Sequence, residues 1–463
     1  MRLPHQIGLA AALIGATTLA FASEPAAFAS TYAPVASPPV VIRGATVLTG
    51  DGQRLEATDL LLSEGRIVGL GAGLDAPGDA VIVDGAGKWL TPGLIDVHSH
   101  LGVYASPGTE AHSDGNEVTS PVTAQVWAEH GVWPQDPGFA AALAGGVTTM
   151  QVLPGSANLI GGRGVTLKNV AAGSVQAMKF PGAPHGLKMA CGENPKRVYG
   201  ERGQAPMTRM GNLAGYRAAF IEAAEYRRQW ADYEAKQAKA DGKKKADDDE
   251  SKPPKRDLRL ETLAGALAGE IQVHIHCYRA DEMALMIDLA REFGFKIAAF
   301  HHGVEAYKLA DTLASENICG ALWADWWGFK MEAYDGILEN IALVDRPEGG
   351  CAIVHSDSSE GIQRLNQEAA KVIAAAGQAG LQIAPERAIR WLTENAARSL
   401  GVLDDTGTLT LGKMADVVLW NGNPFSVYAK PEKVFIDGAL LFDSADRGLQ
   451  PVSDFMLGQE VTP

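Results

Sequence analysis

The chain has 463 residues, of which 46% are hydrophobic and 21% charged, and its formal net charge is -15. That length can fill one large domain and a smaller one, and the composition is that of a globular protein. The acidic balance excludes sequence-independent nucleic-acid binding, which relies on Lys and Arg against phosphate.

Taken from its start, the chain opens on a segment that reads as a processing signal. Arg2 supplies a thin positive region, "IGLAAALIGATTLAFA" (7–22) an apolar core, and "AFA" (20–22 and 27–29) two small-x-small cleavage sites. The run is too short and too rich in Ala for a good membrane span. Residues 1–30 are expected to be a signal peptide, the mature protein to be periplasmic, and no membrane insertion to persist after processing.

Residues 38–92 read as short strands: "VVIRGATVLTG", "DLLLSEGRIVGLG" and "AVIVDGAGKWLTPG", separated by Gly and Asp turns. Residues 403–447 return to the same pattern in "GTLTLGKMADVVLWNGNP" and "VFIDGALLFD". Both ends are therefore expected to build one small β-sandwich. Between them, residues 93–402 alternate apolar strands (94–98, 147–152, 186–190, 271–276, 296–301, 318–323 and 351–356) with helical stretches at 280–294 and 369–380. "GVTLKNV" (164–170) supplies an eighth strand. Such alternation argues an α/β fold, a (β/α)₈ TIM-like barrel with a parallel sheet, whose catalytic groups sit at strand C-termini. After a helix at 212–230, the charged stretch 233–257 reads as a mobile surface insert. Cys191, Cys277, Cys319 and Cys351 form no C-x-x-C pair and lie in apolar runs, so buried free thiols are expected.

The chemistry is concentrated at the strand ends. In "TPGLIDVHSH" (91–100), period-two alternation points Asp96, His98 and His100 to one face. Two neutral imidazoles at a barrel mouth fit a divalent transition metal such as Zn²⁺. Other strands end in the same residue types. "IQVHIHCY" places His274 and His276 on one face, "IAAFHHG" ends in His301 and His302 facing opposite ways, and "CAIVHSDSSEG" carries His355 and Asp357. "GLKMACGENPK" has Lys188 within a strand and Glu193 just beyond it.

"GKWLTPGLIDVHSHL", "AGGVTTM", the "HHG" and "HSD" strand ends and the closing "LTENAARSLGVLDDTGTLTLGKMADVVLWNGNP" together resemble the amidohydrolase superfamily. The resemblance spans roughly 40–445. It is nearest the imidazolonepropionase-like branch with its exported dipeptidase and carboxypeptidase relatives. It implies one or two divalent metals, with His98 and His100 on the first and His276 and His302 on the second. Asp357 would ligate the first metal and act as general base for metal-hydroxide attack on an amide or cyclic amide of a small molecule, such as a dipeptide or N-acyl amino acid. The bridging ligand would be Lys188, carboxylated by CO₂, or else Glu193. The same scaffold also serves deaminases and lactonases, and an inactive binding protein would keep the fold without the chemistry.

Around the metals, Trp323, Trp326 and Trp327 are candidates to line a substrate pocket. Lys196, Arg197 and Arg209 are candidates to clamp a substrate carboxylate. His112 and Asp114, in the loop after the first barrel strand, and His355 are further candidate substrate contacts. The expected partner is a small molecule, and room is left for a homo-oligomer.

Overall fold

The structure, a computed structural model, describes residues 28–106, 108–240, 252–326 and 328–450. The expected signal peptide lies outside the described residues except for its last three positions. Two eight-stranded sheets organise the described residues. The first is the barrel: β1 (Leu94–Ser99), β2 (Val147–Val152), β3 (Ile160–Lys168), β4 (Gly186–Ala190), β5 (Gln272–Cys277), β6 (Ile297–His302), β7 (Cys319–Leu322) and β8 (Ala352–Val354), paired in chain order. Nearly every position on these strands is buried, as expected where helices cover the outside of a sheet and side chains fill its inside. β1 and β8 are linked just past the strand ends. The Asp357 N–H donates to the His98 carbonyl at 3.0 Å, and the Ser356 N–H donates to Asp96 Oδ1 at 3.2 Å.

One strand departs from the expected parallel sheet. β3 runs antiparallel to both β2 and β4. Only residues 153–159 separate β2 from β3, and a parallel neighbour needs a crossover of a dozen or more residues. The helix expected at 212–230 is also longer, running from Arg209 to Ala240. Residues 233–240, expected to open a mobile loop, continue it. "YEAKQAKA" consists mostly of Ala, Lys, Glu and Gln, all strong helix formers. The centre of that insert, 241–251, lies outside the described residues.

The second sheet draws on both chain ends. In spatial order its strands are Ala439–Asp443, Pro431–Ile436, Val417–Trp420, Trp89–Pro92, Val40–Leu48, Arg54–Ser63 and Arg66–Gly71, with Val81–Asp84 also on Val40–Leu48. The eight strands form one continuous sheet around a core that includes Ile42, Val47, Leu60, Leu90, Leu419 and Phe435. Where this sheet meets the barrel, the fully buried Lys168 at the end of β3 donates to Asp416 at 2.8 and 3.0 Å and to Asp437 at 3.1 Å. Among the described residues, no helix is long and apolar enough to cross a membrane.

The cysteines correct the sequence reading. Cys191 is bonded to Cys277 and Cys319 to Cys351, and no free thiol remains. Each bond ties neighbouring parallel strands, β4 to β5 and β7 to β8. Strand pairing brings the Cα atoms to 5.1 and 4.6 Å across separations of 86 and 32 residues, within the range a disulfide spans. Spacing along the chain carries no sign of that proximity.

Candidate metal and catalytic site

The C-terminal ends of the barrel strands gather imidazoles into one cluster. His98 and His100, from β1 and just beyond it, face each other with Nε2 atoms 3.3 Å apart. Asp357 Oδ1 lies 3.1 Å from His100 Nε2 and 3.5 Å from His98 Nε2. His100 Nδ1 is 2.8 Å from the Leu153 carbonyl. A carbonyl only accepts, so Nδ1 carries a hydrogen and Nε2 is the ring atom turned to the cluster.

His302 and Asp357 reach the cluster through their backbones. Alternation alone would turn His302 away from the face that His301 occupies. His302 has φ +70° and Asp357 φ +54°, left-handed values that residues other than Gly seldom adopt. The turn brings both His301 and His302 inward, so the expectation that they face opposite ways is corrected. His302 Nε2 lies 4.0 Å from Asp357 Oδ2, and its ring centroid is 4.6 Å from those of both His98 and His276. Backbone strain of roughly 1–3 kcal/mol per residue is held at this point.

His355 sits within the same cluster. Its ring stacks on His98 at 5.2 Å, and neither of its nitrogens has a hydrogen-bond partner. His276 Nδ1 and His302 Nδ1 are likewise buried and unpartnered. Ligand atoms of His98, His302 and His355 lie within 4.8 Å of one another, as do those of His98, His100 and Asp357. Lone pairs that converge beside a carboxylate, with too few hydrogens to share, fit a divalent cation. Burial, reinforced by the Lys188 charge, pushes His98 and His276 far below the usual imidazole range. Burial also takes His355 to about 3. The rings are therefore neutral ligands.

Lys188 on β4 is fully buried, and its Nζ donates to the Pro154 carbonyl at 2.9 Å. Burial draws its ammonium down to about 8, with Asp357 opposing. Burial pushes Asp357 upward, but its contact with His100 and the Lys188 charge outweigh that and hold the carboxyl below its ordinary value. Asp96 lies beneath the ligands. It accepts from the His98 N–H at 3.1 Å and from the Ser356 backbone and hydroxyl, so it ties the end of β1 to the turn after β8. Burial raises it to about 6.

Of the other expected contacts, Trp323 touches this cluster and most of the rest are engaged elsewhere. Glu193 begins the helix Glu193–Gly200, and its carboxylate is 3.5 Å from Lys330 Nζ. Gly192 before it has φ +82°, and a Cβ there would come within 2.2 Å of Glu332 Oε1. Arg209 is held by Glu282 at 3.0 Å and Glu332 at 2.8 Å, so its charge is already matched. Arg197 is exposed and Lys196 half-buried on the helix after β4. The His112 ring lies tilted against Trp133 at 4.8 Å, and Asp114 is exposed. Trp323 covers His302 at 4.3 Å between ring centroids, and the more exposed Trp326 lies 6.0 Å from Trp323. Trp327 lies outside the described residues.

Sequence reasoning missed Tyr278, whose ring stacks on His302 at 5.6 Å, and Lys330, whose Nζ sits 4.1 Å over the Tyr278 ring. Tyr278 follows β5 directly, so its place at a strand end was the available signal. Lys330 carried none, because it belongs to a long loop.

Comparison with known proteins agrees with this geometry. The sequence model described as Amidohydrolase family matches residues 353–441. The crystal structure of an amidohydrolase from Thermotoga maritima MSB8 is 35% identical, covers 87% of this chain and 100% of its own, and superposes with a TM-score of 0.76. The chain belongs to the amidohydrolase superfamily. Amidohydrolase tasK of Hapsidospora irregularis is 33% identical over 439 residues, 88% of this chain and 43% of that protein. A dihydroorotase of Geotalea daltonii is 33% identical over 139 residues, 30% of this chain and 27% of that protein. The match spans less than half the length of either curated relative.

Proposed function

We propose that the chain is a metal-dependent hydrolase that cleaves the C–N bond of an amide or cyclic amide in a small molecule. The observation that carries this reading is the convergence of His98, His100, His302, His355 and Asp357 at the strand ends, with unpartnered imidazole nitrogens among them. The names of the relatives, amidohydrolase and dihydroorotase, support the reaction class.

In this proposal His98, His100 and Asp357 would hold one cation, Zn²⁺, and His276 and His302 would hold a second, with His355 in the same cluster. When bound, the cation supplies Lewis acidity toward water and toward the substrate carbonyl. Asp357, ionised in its setting, takes the proton from the attacking water and delivers it to the leaving nitrogen. Trp323 and Tyr278 wall off the His302 side and limit access of bulk water. Lys188, rather than Glu193, would supply the anion that a pair of cations needs. Its Nζ adds to CO₂ and loses a proton, giving a carbamate anion among the imidazoles. An amine drawn down to about 8 has a usable neutral fraction near pH 7, whereas Glu193 already pairs with Lys330. Export to an oxidising compartment is part of the proposal, supported by the two disulfides.

The test is a turnover screen of purified protein on cyclic amides, N-acyl amino acids, dipeptides and lactones, before and after chelation and after adding back Zn²⁺. Turnover of a C–N substrate that chelation abolishes and Zn²⁺ restores is expected. Turnover that survives complete metal removal, or activity confined to lactones, would overturn the reading.

A further inference from the structure

Below the cluster a chain of imidazoles runs into the barrel. His98 Nδ1 lies 2.9 Å from His301 Nδ1, and His301 Nε2 lies 2.9 Å from His274 Nδ1. His274 Nε2 then lies 3.4 Å from the side-chain amide nitrogen of Gln151 on β2. All four residues are buried, and Gln151 Oε1 has no partner. The rings are fully buried and meet one another nitrogen to nitrogen, where a charge would go unpaired, so each is neutral, with one N–H and one lone pair.

A chain of neutral imidazoles has only two polarities. If the Gln151 amide nitrogen donates to His274, then His274 donates to His301, His301 donates to His98, and the His98 hydrogen is forced onto Nε2. That places a hydrogen on the face turned to Asp357 and His100, where a cation needs a lone pair. If Gln151 instead presents Oε1, every bond reverses. His98 Nδ1–H donates to His301, His301 to His274, and His274 Nε2–H to the amide oxygen. His98 Nε2 is then a bare lone pair. The two amide orientations differ by a half-turn that exchanges O and N in nearly the same place, and the turned form gives the orphaned Oε1 a donor. Thr149, two residues back on the same face of β2, and Thr166, opposite on β3, have buried hydroxyls without partners. Both hydroxyls lie on the Gln151 face of this sheet and have acceptor capacity to spare. Gly186 leaves room for this end of the chain, since a Cβ there would come within 2.7 Å of the amide nitrogen and 3.1 Å of the His274 ring.

We infer that Gln151 is a positioning residue. Presenting Oε1 to His274, it sets the direction of the His274–His301–His98 hydrogen bonds and so holds the His98 Nε2 lone pair on the metal side. The inference rests on the proposed metal-dependent reading. Its readout is cation affinity rather than turnover.

The experiment titrates Co²⁺ into metal-free full-length protein against a competing chelator and follows visible absorption. The wild type is compared with Gln151→Leu, which removes the acceptor, and Gln151→Glu, whose carboxylate only accepts. Gln151→Leu should weaken Co²⁺ about 10–100-fold, the usual loss when the partner of a ligand imidazole is removed. Gln151→Glu should hold affinity within about 3-fold of wild type on the same argument. Circular dichroism of the metal-free proteins checks that both variants fold. If Gln151→Leu does not fold, Gln151→Glu decides: retained affinity supports the inference and a loss like that expected of Leu overturns it. Wild-type affinity in folded Gln151→Leu overturns the relay while leaving the metal site standing. A wild type that binds no Co²⁺ overturns the functional reading and the relay with it.

Discussion

Lys168→Met tests how the terminal sheet is joined to the barrel. The ammonium is fully buried and holds Asp416 with two bonds of 2.8 and 3.0 Å and Asp437 with one of 3.1 Å. Methionine fills similar volume, so the cavity cost is small. The loss is electrostatic. Asp416 keeps only the Thr406 hydroxyl and the Asp437 N–H, and Asp437 keeps the Tyr32 hydroxyl. At an effective dielectric near 20, each ion pair at this distance contributes about 5 kcal/mol, but the desolvation of Lys168 is also relieved. Removing one partner of a buried pair leaves a net loss of about 3–5 kcal/mol. For a chain of this length that is on the order of 4 °C in melting temperature.

Urea unfolding followed by circular dichroism measures the loss directly. Burial first, and then Asp416, already raises Asp437 above its ordinary value. Without Lys168 that rise grows, and a raised carboxyl contributes stability at low pH that is lost as pH climbs. The deficit should therefore be smaller at pH 5 than at pH 8. Adding Asp437→Asn to Lys168→Met should recover part of the loss, because one of the two stranded charges is gone. A single variant within about 0.5 kcal/mol of wild type, the usual range for a surface change, would refute the reasoning. So would a double variant whose losses simply add.

Three further outcomes are expected. Asp357→Asn should lower kcat on any C–N substrate by about 10²–10⁴-fold, the usual worth of a positioned proton-transfer group, while elemental analysis still finds bound metal; loss of all metal would make its role one of ligation. Lys188→Ala should lose one of two cations per chain, and short carboxylic acids such as formate or propionate should restore part of the activity by supplying the missing anion; unchanged metal content would point to a mononuclear site. Glu129 is buried against Lys179 at 2.6 Å and His185 at 3.3 Å. Burial pushes its carboxyl up, but the bonds from His185 and Lys179 outweigh that and leave it below its ordinary value. A depressed carboxyl contributes stability above the unfolded value and loses it as pH falls, so Glu129→Gln should cost about 1–3 kcal/mol near pH 7, shrinking below about pH 4; a deficit independent of pH would contradict this.

The local pattern of the sequence carries a large part of this protein. Period-two alternation is a property of a few consecutive residues, so it put His98 with His100, and His274 with His276, on one strand face each before any strand was paired, and the strand ends pointed to Asp357. Strand–helix alternation likewise carried the barrel, and matching strand-rich stretches at the two ends carried the second sheet. Only the tertiary structure decided the rest, since it depends on what lies across space. The left-handed backbone at His302 and Asp357 overrides alternation. The short connection before β3 reverses a strand, and neighbouring strands bring cysteines 86 and 32 residues apart into bonding range. Glu282 and Glu332 match the charge of Arg209, which sequence reading had offered to substrate. His274 and His301 were visible as histidines, but the chain they form between His98 and Gln151 exists only because four strands pack their side chains into one buried interior, where each polar atom must find its partner across the barrel.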